Sequence, residues 1–132
     1  MRINYVDVVK GITGKLQQQK MYYQDNFEKD VSQRTDEDSK FVRVVQSLSD
    51  DEKKLLMDFI HRCIVDTTAG IFSWLDGSSF LEGIPHGELE LKYKEGSNIL
   101  NGYLTDIFLA IEEGEGIAEL RKFYDDDILY ED

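Results

Sequence analysis

At 132 residues, with 41% apolar and 11% aromatic side chains, the chain is long enough for one hydrophobic core, too short for two comfortable domains and too apolar to stay disordered. Its 27 acidic against 15 basic side chains leave a formal net charge of −12, a field that repels phosphate backbones and anionic lipid surfaces and so argues against nucleic acid or membrane as partner. The first residues lack the apolar core of a signal peptide, no stretch approaches the roughly 18 apolar residues of a membrane span, and one cysteine permits no intrachain disulfide, so a single cytoplasmic domain is the expectation.

Val6, Val9, Ile12, Leu16, Tyr23 and Phe27 recur at spacings of three, four or seven. This predicts a long N-terminal amphipathic helix, loosened near Gly11 and Gly14. Residues 32–39, "SQRTDEDS", carry no apolar side chain and read as a connection. Phe41, Val44, Val45 and Leu48 then give a short second helix.

The strongest start signal is "SLSDDEKKLLMDFI". Ser49 can accept from first-turn amides while Glu52 reaches back to the cap, and Asp50 and Asp51 suit the positive end of the helix dipole. Leu55, Leu56, Phe59, Ile60, Cys63 and Ile64 continue as one face, and the helix runs on through Ile71, Trp74 and Leu75 to a stop at Gly77. Its second half is apolar nearly all round, which predicts a central position with Trp74 in the core.

Beyond "GIPHG", the period changes. Leu89, Leu91 and Tyr93 alternate with Glu88, Glu90, Lys92 and Lys94, the pattern of a half-buried strand, and residues 80–84 are its expected hairpin partner. Ile99, Leu100, Tyr103, Leu104, Ile107, Phe108 and Ile111 restore a helical face with Ser97 as cap and Gly114 as stop. Within it, Asn101-Gly102 is a competing two-residue hairpin signal. A last short helix over residues 117–123 leads to an acidic tail, residues 125–132, free to flex.

The stretch "FIHRCIVD", residues 59–66, holds one of two histidines and the only cysteine. At 100° per residue from Leu55, the apolar face centres near about 90°, Cys63 falls near about 80° and His61 near about 240°. Two ligands on one helix need spacings of three or four, so these two share no metal ion. Cys63 is expected to be buried, inert and apolar, and His61 exposed. His86, with Ser78 or Ser79, makes at best a paper triad without a GxSxG elbow. No nucleotide-binding glycine motif and no calcium loop is present, and no cofactor or metal is implied.

The expected fold class is therefore α+β: a mostly helical single domain with a small β-hairpin between two central amphipathic helices. Acidic residues gather at residues 36–39, 49–52, 112–115 and 125–132. The functional expectation is a non-enzymatic acidic protein-interaction module, of the immunity or inhibitor type, that meets a basic partner protein through Asp36, Glu37, Asp38, Asp125, Asp126 and Asp127, with Tyr124 and Tyr130 as contact residues. Two alternatives stand beside it: a homo-oligomer assembled through its helices, and a small hydrolase using His86.

Overall fold

The computed structural model describes the backbone of residues 3–129 and the side chains of residues 3–124. Its elements are five helices: α1 (Tyr5–Phe27), α2 (Glu37–Gln46), α3 (Asp50–Leu75), α4 (Leu104–Glu112) and α5 (Ile117–Leu129). The chain divides into two compact units. The larger comprises Met1–Gly14 and Asp66–Asp132, the smaller Lys15–Val65. Among the described residues no helix is long and apolar enough to cross a membrane.

The first three helices each start for a local reason. Asn4 and Asp7 exchange bonds at the head of α1: the Asp7 amide donates to Asn4 Oδ1 at 3.1 Å, and the Asn4 amide to Asp7 Oδ2 at 3.0 Å. At α3 the predicted capping box is present, with Ser49 N donating to Glu52 Oε1 at 2.9 Å and Glu52 N to Ser49 Oγ at 3.2 Å. Asp36 caps α2, accepting from Ser39 N at 3.0 Å and Ser39 Oγ at 2.7 Å. The Ser39 bonds hold the Asp36 carboxyl below its ordinary value of 3.8, and the Ser49 amide does the same for Glu52. The connection before α2 is pinned rather than loose. Arg43 donates to the carbonyls of Val31 and Arg34, and Gln46 to those of Phe27 and Lys29.

The β-hairpin and the α+β class are overturned: among the described residues the fold is helical, with no strand. Alternation over Leu89, Leu91 and Tyr93 belongs to an irregular segment, and the physical reason is Asn101. Its side-chain amide does what a partner strand would have done, accepting from Leu91 N at 2.8 Å and donating to Leu89 O at 2.8 Å. One backbone bond, Leu100 N to Leu91 O at 2.7 Å, is added to this pair, so the ladder never propagates.

Helix α4 also starts later than its periodicity suggests. Gly102 has φ 116°, a value that side-chain-bearing residues rarely adopt, so Asn101-Gly102 is a turn before the helix and neither part of it nor a hairpin. The cap comes from Asp76, just past the end of α3. Its carboxylate accepts from the amides of Gly102 at 2.6 Å, Leu104 at 3.2 Å and Thr105 at 2.9 Å, and from Thr105 Oγ1 at 3.0 Å. Gly77, at φ 83°, ends α3 as expected.

In the larger unit Val6, Val9, Leu104, Ile107 and Phe108 are fully buried, and Phe72 meets Phe108 edge-on at 5.4 Å. The smaller unit buries Val31, Val42 and Val45.

Helix α3 corrects a second expectation. Cys63 is exposed, His61 is half-buried, and of the helix's 26 residues Phe72 alone is fully buried. Trp74 is half-buried, and Ile71 is exposed. The apolar arc is wide enough to have two sides. Leu56, Ile60 and Ile64 take the packed side, while Leu55, Phe59 and Cys63, four residues apart, are left outside.

Candidate functional site

The expected site residues fall in three places. Asp36 is occupied as the α2 cap, and Glu37 pairs with Lys40 at 2.9 Å, so Asp38 is the one carboxylate of that trio without an intrachain role among the described residues. Asp125, Asp126 and Asp127 lie on the last turns of α5, their side chains outside the described part; Tyr130 lies outside the described residues. Tyr124 is 8% exposed, its ring set against Tyr5, Tyr103 and Phe123.

Tyr124 nevertheless borders an acidic concavity of the larger unit. Between α4 and α5 lies an open groove of about 500 Å³ lined by Asp106, Glu113, Glu115 and Glu119 together with Leu109, Ala110, Leu120 and Phe123. The turn through Gly114 (φ 97°) and Gly116 folds α5 back beside α4. Carboxylates from both helices and from the turn thus converge, and among the described residues no lysine or arginine lines the groove. Among the described residues none of the four has an ion-pair partner. Of the two cations on α5, Arg121 is directed to Asp7, at 2.7 Å, and Lys122 is exposed and makes no ion pair among the described residues. Phe123 is exposed beside these charges, giving a rim with apolar and anionic character together.

Residues 112–115 were legible as an acidic run, but Asp106 and Glu119 gave no signal. They sit thirteen positions apart and meet only because the glycine turn closes.

Elsewhere the chemistry-bearing side chains are dispersed. His86 stacks on Phe80 with ring centroids 4.4 Å apart, and Ser78 Oγ donates to Ser73 O at 3.1 Å. No hydrogen bond joins His86 to Ser78 or Ser79 among the described residues. His61 and Cys63 take different sides of α3, the histidine lining an apolar cleft and the cysteine facing solvent. Among the described residues no three His, Cys, Asp or Glu side chains are grouped so as to hold a metal ion.

Comparison with protein-family models, with curated proteins and with solved structures found no match to this chain.

Proposed function

We propose that the chain is a non-enzymatic, cytoplasmic protein-interaction module of the inhibitor or immunity kind, whose α4–α5 groove receives a basic segment of a partner protein. The observation that carries this reading is the groove's lining: four carboxylates with no ion-pair partner among the described residues, flanked by Leu109 and the exposed ring of Phe123. Carboxylates left unpaired in a concavity favour arginine or lysine, and an apolar rim adds contact area that charge alone lacks. The −12 net charge would steer such a partner from a distance. A lone, exposed cysteine suits a reducing compartment.

The test is the anisotropy of a labelled peptide that alternates arginine and leucine, titrated with the full chain. Binding should weaken steeply between about 50 and 500 mM salt, because exposed charges are screened beyond about 10 Å at 0.1 M. Glu113→Gln, Glu115→Gln and Glu119→Gln combined should lower affinity at least about tenfold while helicity is kept. Undiminished binding by that variant would remove the groove from the reading.

Self-association through α3 is the second reading, favoured by Leu55 at 74% and Phe59 at 63% exposure on one side of the helix. Sedimentation that shows a monomer at every concentration would dispose of it.

A further inference from the structure

We propose that the smaller unit binds a small amphipathic anion, an apolar chain carrying one carboxylate, in the cleft between α1, α2 and α3, with Lys20 as its counter-ion. The site is independent of the acidic groove, which belongs to the other unit, and the inference goes beyond the function proposed above.

The cleft measures about 310 Å³, at the lower end of the roughly 300–1,000 Å³ typical of small-molecule sites. Phe27, Phe41, Met57 and Ile64 are among its walls, and the two phenyl rings stand 5.9 Å apart. Phe41 remains half exposed, so the protein's own side chains do not complete the enclosure. Methionine adds a deformable surface able to fit chains of different shape.

Charge decides which head group belongs there. The chain has 27 acidic side chains, yet among the described residues none lines this cleft; its basic members are Lys20 and His61. Residues 8–24 of α1 carry Lys10, Lys15 and Lys20 and no aspartate or glutamate. Lys20 therefore has no acidic neighbour three or four positions away on its own helix, the usual surface solution for a lysine. It is half-buried and, among the described residues, makes no ion pair. An ammonium partly withdrawn from water beside aromatic walls gains most from a ligand that brings its own anion. A cationic amphiphile would meet repulsion at the same point. A large apolar body on the carboxylate is required as well, because Leu16, Phe27, Phe41, Met57, Ile60 and Ile64 make up most of the lining.

Calorimetric titration of the full chain with decanoate and decanol, and of the full chain carrying Glu113→Gln, Glu115→Gln and Glu119→Gln with decyltrimethylammonium so that the acidic groove does not compete for the cation, separates the contributions. Decanoate should bind most tightly, decanol more weakly and the ammonium least. Lys20→Met should lower decanoate affinity about tenfold, the effect of one lost charge-assisted contact, and leave decanol unchanged. Ile64→Trp, which fills the cleft, should abolish both, with retained helicity checked by circular dichroism; if that variant does not fold, the head-group series on the wild type and on Lys20→Met decides alone. No decanoate binding below about 1 mM, equal affinity for the ammonium, or decanoate affinity unchanged in Lys20→Met would each overturn the proposal. Loss of the arginine-leucine peptide in the groove variant leaves these outcomes untouched, so the two proposals fail separately.

Discussion

The two units draw on the same two long helices and use them differently. In the larger unit the first turns of α1 and the last turns of α3 supply Val6, Val9 and Phe72 to a core completed by Leu104, Ile107 and Phe108. Polar side chains then fasten its helices and irregular segments: Asp76 to the head of α4, Asn101 to residues 89–91, and Arg121 of α5 to Asp7 of α1. In the smaller unit the remaining turns of α1 and α3 bury no apolar side chain completely, and the buried residues come from Val31 and from α2. An amphipathic helix is a fixed pattern, but how much of it is withdrawn from water depends on how many elements surround it. Where few do, apolar surface remains open, and there the cleft with Lys20 is found.

The contrast can be broken most directly with two phenylalanines. Phe108→Ala in the larger unit should cost about 3–5 kcal/mol, because a fully buried ring leaves a cavity. Phe41→Ala in the smaller, where the ring is 51% exposed, should cost less than about 1 kcal/mol. Urea midpoints measure both. Equal losses would mean that the two units are packed alike.

A smaller effect is expected from the polar fastening. Asp76→Ala removes the acceptor for three amides and one hydroxyl, and should destabilise by about 2 kcal/mol, the upper range for a lost cap. Amide exchange would sharpen the result: protection should fall first at Leu104 and Thr105 and least within α2. Uniform loss across the chain would show that the cap acts on global stability alone.

The smallest effect is expected at the head of α2 and is visible only in acid. The folded Asp36 carboxyl lies below its ordinary value of 3.8 because Ser39 donates to its charged form. Its contribution is thus present above that value and is lost as pH falls through the lower, folded one. Asp36→Asn keeps an acceptor for the Ser39 amide but cannot titrate. The variant should unfold near the wild-type urea midpoint at neutral pH and show a shallower decline in acid. Parallel acid profiles would assign the decline to other carboxylates.

Cys63 and His61 show how far periodicity reaches. Angles placed them correctly on different sides of α3, yet the assignment of inside and outside was reversed in emphasis: the cysteine is exposed and the histidine half-buried. An apolar arc this wide has no unique centre, and its orientation is chosen by whichever neighbours pack first. Leu89, Leu91 and Tyr93 fail for a related reason. Alternation reports which side chains face inward along an extended segment, but a strand also needs a backbone partner, and here an asparagine side chain took that place.

What the residues alone determined is local: the long helix from Tyr5, the Ser49–Glu52 box at the start of α3, the stop at Gly77 and the acidic excess all rest on interactions within about one turn or on composition. What only the tertiary structure decided spans tens of residues. Asp76 caps a helix that begins at Leu104, Arg121 reaches Asp7, Asp106 and Glu119 come to share a groove, and Lys20 joins His61 in one cleft. No sequence period links such positions, because they are brought together by chain reversals at Gly77, Gly102 and Gly114 and by the packing of helices, whose free energy depends on the whole surface buried and not on any neighbouring residue.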